Sequence, residues 1–471
     1  MEEKMSENQK MVDGYMEFLK AGKTERECCE QIVKMAESRG YKNLYKTDSL
    51  KPGDKVYATK WGKSVALFKI GSDPLEKGMN ILGAHIDSPR LDVKQNPLYE
   101  NESIVYLNTH YYGGIKKYQW VTLPLAIHGV VCLKDGSSVK ICVGEDAGDP
   151  VFCIADILPH LAQTQMKESA SDFIPGESLD LILGSGNPSR KSDDDKCDEK
   201  SGEKSDESKS KKDAAKKKIL ALLKEKYGIE EDDFGSAELE IVPAGSPRYL
   251  GFDRSMILSY GQDDRSCAYT SAAAIFDSPD GIPKRTSCCL CVDKEEIGSV
   301  GATGMASHFF ENVVAELVSR VGEYSDLSLR RCLNNSLMLS SDVNAAFDPQ
   351  HPELYDKENA SYLNGGIVFN KYTGSRGKSG ASDASPEFIA LLRKVLDDAG
   401  VKFQMAELGK VDQGGGGTIA YLAAKYGTAV LDAGVSVLSM HAPWEITAVE
   451  DIVQAYTAYK AFLTIEKNPL D

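Results

Sequence analysis

Short apolar runs that stop at a carboxylate or an imidazole recur along this chain, and that recurrence constrains its fold more than any other feature. Met79-Asn80-Ile81-Leu82-Gly83-Ala84 runs into His85-Ile86-Asp87-Ser88-Pro89, where a proline ends it. Ile257-Leu258-Ser259-Tyr260 leads into Gly261-Gln262-Asp263-Asp264-Arg265. Ser287-Cys288-Cys289-Leu290-Cys291-Val292 is followed by Asp293-Lys294-Glu295-Glu296-Ile297-Gly298-Ser299. Asn335-Ser336-Leu337-Met338-Leu339-Ser340-Ser341 stops at Asp342, and Val435-Ser436-Val437-Leu438-Ser439-Met440 stops at His441. Runs this short and this apolar read as buried strands. Helical stretches separate them, among them the small-residue segment 266–276 and a long terminal one at 449–465. Strands alternating with helices, their polar residues gathered at strand ends, specify an α/β domain with a largely parallel sheet.

The remaining sequence divides around that pattern. Residues 6–39 read as one or two helices: Met11, Tyr15, Phe18 and Leu19 repeat at helical spacing, and Thr24-Glu25-Arg26-Glu27 forms a capping box. Residues 55–70 read as strands around the turn Trp61-Gly62-Lys63. From about residue 96 the character changes to short β-type runs separated by glycines, such as Ile104-Val105-Tyr106-Leu107 and Val139-Lys140-Ile141-Cys142-Val143. A short helix is expected at 156–165, a flexible charged loop of low complexity at 185–212, a helix at 214–227 and a strand at 237–243. We therefore expect a β-rich insertion at 96–244 within a domain made of 1–95 and 245–471. A chain of 471 residues is long for one core, which fits two domains.

Composition excludes some partners. A formal net charge of −16 argues against nucleic acid, which calls for a basic face. No apolar run approaches the roughly 20 residues of a membrane span, and Met1-Glu2-Glu3-Lys4-Met5 lacks the basic-then-apolar order of a secretory signal. Eleven cysteines, an odd number, read as reduced thiols of a cytoplasmic protein, with Cys289 and Cys291 at small core positions of a strand.

His85, Asp263, Glu296, Asp342 and His441 share one context, the end of a probable strand, in a chain with only seven histidines. Singly, each has a plain structural explanation: a core histidine, a helix N-cap at Asp263, a solvated acidic turn at Glu295-Glu296. Together they point to a two-metal site, and mixed His and carboxylate ligation suits zinc, manganese or cobalt rather than calcium. Two divalent ions and three carboxylates would reach neutrality with a bridging hydroxide. Neighbouring side chains on an extended backbone point in opposite directions, so Glu295 and Glu296 divide the work. Glu296 holds metal; Glu295 takes the proton of the attacking water and passes it to the leaving amine. Asp87, two residues beyond His85, is placed to accept the other ring N–H and fix the tautomer.

His85-Ile86-Asp87-Ser88-Pro89, Gly261-Gln262-Asp263-Asp264-Arg265, Glu295-Glu296-Ile297-Gly298-Ser299, Ser341-Asp342 and Leu438-Ser439-Met440-His441 occur in the order found in the aspartyl aminopeptidase / vacuolar aminopeptidase I family. The chain most resembles that family's bacterial members, over nearly its whole length. The resemblance implies a zinc-peptidase-like α/β/α catalytic domain with a largely parallel mixed central sheet, and a β-rich dimerisation insertion. It implies one metal on His85 and Asp342, another on Glu296 and His441, Asp263 bridging them, Glu295 as general base, and a cis peptide between Asp263 and Asp264. It implies peptide substrates and a homododecamer built from dimers. One departure stands out: in Pro159-His160-Leu161-Ala162-Gln163-Thr164, Thr164 occupies the place of a family histidine that reaches a neighbouring subunit's site. That bears on the preference for acidic residues.

Competing readings are a two-metal amidohydrolase acting on acylated amino acids, and an inactive scaffold of the same fold; an intact Glu295 and ligand set oppose the scaffold. Asp383 and Ser385 either line the substrate pocket or cap a helix before Pro386. Gly414-Gly415-Gly416-Gly417 lacks the Lys-Ser/Thr of a phosphate loop and reads as backbone passing close to substrate. His110, His128, His308 and His351 are assigned to structure.

Overall fold

The central sheet has nine strands in the spatial order Lys42–Asn43, Lys55–Lys60, Ser64–Lys69, Thr286–Val292, Met79–His85, Leu337–Ser340, Ala429–Gly434, Ile367–Asn370 and Phe403–Met405. The structure is a computed structural model and describes residues 2–186, 213–279, 281–374 and 377–470. The four middle strands, from Thr286–Val292 to Ala429–Gly434, run parallel. Antiparallel pairs flank them on both sides, Ser64–Lys69 against Thr286–Val292 and Ile367–Asn370 against Ala429–Gly434, so the sheet is mixed. Every residue of Met79–His85, Thr286–Val292 and Leu337–Ser340 is buried, as strands covered on both faces must be.

Side-chain alternation along these strands feeds two cores. Cys289 and Cys291 join Leu82, Ala84 and Leu339 in a core shared with Ala268 and Ala272 of the helix Gln262–Phe276 and with Ile452 and Tyr459 of the helix Val449–Phe462. Cys288, Leu290 and Val292 face the opposite core, with Ile81, Met338 and the helix Phe309–Val321. The result is three layers, helices on both faces of the sheet. All fifteen residues of Gln262–Phe276 are buried, and its serines and alanines let it lie close to the strands. The Thr24 capping box is present: Thr24 Oγ1 accepts the Glu27 N–H, and Glu27 Oε2 accepts the Thr24 N–H, both at 3.2 Å.

A smaller sheet in the same part of the chain orders Arg248–Leu250, Met256–Ser259, Glu445–Ala448, Ser436–Leu438 and Asn344–Ala345. Its register sets Ser259 opposite Glu445, which brings the start of the helix Gln262–Phe276 beside the segment carrying His441.

Contacts divide the chain into two compact units, Met1–Ser88 with Ser246–Asp471, and Pro89–Gly245. The second contains a six-stranded, wholly antiparallel sheet, from Ser138–Val143 at one edge to Leu181–Ser185 at the other. The helix Ala214–Tyr227 and the strand Ala237–Pro243 form as expected. The helix expected at 156–165 does not: only 3₁₀ turns form, at Pro159–Leu161 and, starting on the last expected residue, at Gln165–Lys167. Leu158 and Leu161 are 50% and 68% exposed, so no apolar face stabilises a longer helix there. The expected charged loop at 185–212 falls, from 187 on, outside the described residues. All ten described cysteines are free thiols. Among the described residues no helix is long and apolar enough to cross a membrane.

Candidate metal centre

The parallel strands deliver their C-terminal ends to one place, where an open α/β sheet binds ligands. His85 closes Met79–His85, Glu295 and Glu296 follow Thr286–Val292, and Asp342 lies two residues past Leu337–Ser340. The smaller sheet supplies the rest: Asp263 follows Met256–Ser259, and His441 lies between Ser436–Leu438 and Glu445–Ala448. All six side chains line one cavity of about 420 Å³.

Asp263 is the centre of this arrangement. Its Oδ1 lies 3.3 Å from His85 Nε2 and its Oδ2 lies 3.3 Å from His441 Nε2. His441 Nε2 is 3.4 Å from Glu296 Oε2, and His85 Nε2 is 3.9 Å from Asp342 Oδ1. Two ligands held about 2.0–2.1 Å from a tetrahedral zinc lie roughly 3.3–3.4 Å apart. Three of the four separations match that edge and are long for hydrogen bonds. His85, Asp263 and Glu296 offer ligand atoms within 4.8 Å of one another, and so do His85, Glu295 and Asp342. The donor set and spacing thus fit divalent cations.

Electrostatics agree. Burial raises the carboxyls of Glu296 and Asp342, and the neighbouring Asp263 charge adds to both shifts. Glu295 is pushed up to about 7, mainly by burial. Burial also opposes ionisation of Asp263, but His441 and His85 outweigh it and hold that carboxyl below the usual range. Among the described residues, Glu296 Oε1 is buried without a hydrogen-bond partner. A cluster of buried carboxylates raised in this way lacks positive charge, which cations would provide.

The two glutamates diverge for a reason other than strand alternation. Glu295–Ile297 is a 3₁₀ turn entered through Lys294 at φ 69 and left through Gly298 at φ 92. That turn sends Glu296 toward His441 and leaves Glu295 Oε2 4.0 Å from His85 Nε2. Asp87 faces His85 through both its main chain and its carboxylate. His85 Nδ1 lies nearer the Asp87 main-chain carbonyl, at 3.0 Å, than its carboxylate, at 3.4 Å. The carboxylate accepts the backbone N–H groups of Glu295 at 3.1 Å and Glu296 at 3.2 Å, which fixes the turn.

A family profile described as "Aminopeptidase I zinc metalloprotease (M18)" matches residues 18–463. The chain belongs to the M18 family. Membership makes it an M18 aminopeptidase, a hydrolase of the zinc metalloprotease class. It is 56% identical over 455 residues to a probable M18 family aminopeptidase 1 of Clostridium acetobutylicum, covering 96% of this chain and 94% of that one. The crystal structure of an M18 aminopeptidase from Thermotoga maritima superposes with a TM-score of 0.89 at 42% identity, covering 97% and 96% of the two chains. The Saccharomyces cerevisiae mApe1 dodecamer shares the fold, with a TM-score of 0.73 at 20% identity over 96% of this chain and 95% of that one.

Several residues that support this M18 site are not singled out by the sequence, one of them outside the strand-end motifs and two within them. Glu445 is buried, its Oε2 accepting the Asp263 N–H at 3.0 Å and its Oε1 the His441 N–H at 2.7 Å. One carboxylate thereby ties two candidate ligands together through their backbones. Asp264 Oδ2 accepts the His85 N–H at 3.3 Å, and Ser88 Oγ donates to the Asp263 carbonyl at 2.7 Å. The Asp263–Asp264 peptide is cis. Gly415, Gly416 and Gly417 line the cavity. Asp383 and Ser385 do not: Ser385 caps the helix Pro386–Ala399 by accepting the Phe388 N–H, and Asp383 pairs with Lys378 at 3.2 Å. A serine preceding a proline at the first helical position was the available signal.

Proposed function

We propose that this chain removes residues singly from the N-termini of peptides, with two divalent cations held on His85, Asp263, Glu296, Asp342 and His441. Zinc is the first choice, manganese or cobalt the alternatives. The observation that carries the reading is the reach of Asp263, whose two oxygens lie 3.3 Å from two different imidazoles. His85 and Asp342 would hold one cation, Glu296 and His441 the other, and Asp263 would contribute to each. Bound there, the pair supplies Lewis-acid polarisation of the scissile carbonyl and acidifies a water.

This chain's own residues do the rest. Glu295, at the cavity's edge, takes the proton of the attacking water on a carboxylate oxygen and gives it to the departing amine. Asp87 is a positioning residue, holding the Glu295–Glu296 turn by two backbone N–H groups. Glu445 positions Asp263 and His441 in the same way. The insertion, Pro89–Gly245, makes dimer contacts in a cytoplasmic homododecamer; the shared fold of the dodecameric yeast structure supports that part. Light scattering on the purified protein tests it.

The activity is tested with zinc-loaded protein on alanine p-nitroanilide and N-acetylalanine side by side. Release of nitroaniline, lost on chelation and restored by zinc, with N-acetylalanine left intact, is the expected result. Cleavage of N-acetylalanine alone would instead identify a deacylase.

A further inference from the structure

The candidate ligands come from two sheets, and one buried amide lies where the smaller sheet delivers its share. Asp263 and His441 belong to that smaller sheet, while His85, Glu296 and Asp342 end or follow strands of the central one. Gln262, the residue before Asp263, is fully buried. Its Nε2 donates to the Ile257 carbonyl at 3.1 Å and to the Glu445 carbonyl at 2.7 Å. Its Oε1 accepts the hydroxyls of Tyr15 at 3.0 Å and Thr447 at 2.6 Å. Carbonyls only accept, so they must face the amide N–H₂, and the partners themselves fix which way the amide points. Both of its donors and both acceptor positions are thereby filled. Tyr15 and Thr447 are buried too, and their hydroxyls lie within hydrogen-bonding reach of each other.

These contacts tie together elements that carry the site. Ile257 pairs with Thr447, and Ser259 with Glu445, between the antiparallel strands Met256–Ser259 and Glu445–Ala448. The Gln262 amide holds one carbonyl from each strand of that pair, and Tyr15 adds the N-terminal helix Glu2–Ala21. The Glu445 carboxylate accepts the N–H groups of Asp263 and His441. A closed ring results: Asp263 N–H to the Glu445 carboxylate, the Glu445 carbonyl to the Gln262 amide, and Gln262 covalently to Asp263.

We propose that Gln262 is a positioning residue of the metal centre, its amide setting Asp263 and His441 in place against the ligands of the central sheet. This rests on the two-cation reading and deepens it. The cation on Glu296 and His441 would take both His441 and Asp263 from the smaller sheet. The cation on His85 and Asp342 would take Asp263 alone from it. Loss of the clamp therefore weakens the first cation more than the second, which a residue serving only the fold would not do.

The test is the pair of stepwise zinc affinities of the full chain, measured by competition with a chromophoric chelator. His441→Ala marks the step that belongs to the cation on Glu296 and His441. In Gln262→Met, which keeps the length and loses the amide, that step is expected to weaken by about tenfold and the other by less. Tyr15→Phe removes one hydroxyl from Oε1 and should move the same step by a smaller factor. Melting curves of the metal-free variants show whether they fold. A lowered melting temperature with the ratio of the two affinities unchanged in folded Gln262→Met means a structural role only and overturns the assignment. Should Gln262→Met not fold, an unchanged ratio in Tyr15→Phe overturns it equally. Wild-type protein that binds no zinc overturns the two-cation reading itself, and this assignment with it.

Discussion

Replacing Glu445 by glutamine tests the support of the metal centre without touching a ligand. The substitution keeps size and shape but turns one of two acceptor oxygens into an N–H₂ donor. Whichever way the amide settles, it faces either the Asp263 N–H, now 3.0 Å from Oε2, or the His441 N–H, now 2.7 Å from Oε1. One charge-assisted bond is lost and a buried donor meets another donor, at a cost of roughly 1.5–3 kcal/mol. The cost differs between states. Burial pushes the Glu445 carboxyl up to about 8, so the ionised form that best accepts both N–H groups is costly to hold until positive charge arrives beside it. Cations beside Asp263 and His441 favour the ionised carboxylate, and the loss then falls mainly on the loaded state. Zinc affinity should drop by about 10–100-fold, the effect typical of groups that orient ligands. Titration against a chromophoric chelator at pH 7 measures it, with a melting curve of the metal-free variant as the control. An unchanged zinc affinity in a folded variant would refute the claim that Glu445 holds Asp263 and His441 in place.

Other outcomes follow from the same geometry. Glu295→Gln should keep its zinc, measured by elemental analysis, while turnover falls by about 10²–10⁴-fold; near wild-type turnover would remove Glu295 from the proton-transfer role. Gly261→Ala should be destabilised by roughly 2–4 kcal/mol, read from denaturant unfolding, because φ is +67 and the new Cβ would lie 1.7 Å from the buried Arg265 Nη1. Zinc present at about 100 times its dissociation constant should stabilise the fold by about 2.7 kcal/mol over chelated protein, seen as a raised melting temperature.

Much of the catalytic unit is legible in the sequence because its middle strands are buried on both faces. Cys288, Leu290 and Val292 serve one core while Cys289 and Cys291 serve the other, so every position of the run must be apolar and the run announces itself. Where that constraint is absent the reading fails, as at 156–165, where Leu158 and Leu161 stay exposed. The glutamate pair shows a subtler miss. Its two side chains do diverge, but through a 3₁₀ turn with Lys294 in the left-handed region, which strand alternation does not describe.

What the sequence determined by itself is which residues end the buried strands, since period, apolar content and strand-stopping residues are local properties of the chain. Which atoms meet was decided only by tertiary structure. Asp263 and Glu445 are brought together by strands paired between Ser259 and Glu445, far apart along the chain. Asp87 reaches the Glu295–Glu296 amides, and Asp432 enters the cavity wall, because parallel neighbours in the sheet are set by packing. Such long-range pairing leaves no periodic trace in the sequence, because its free energy arises only when separate strands share one buried sheet.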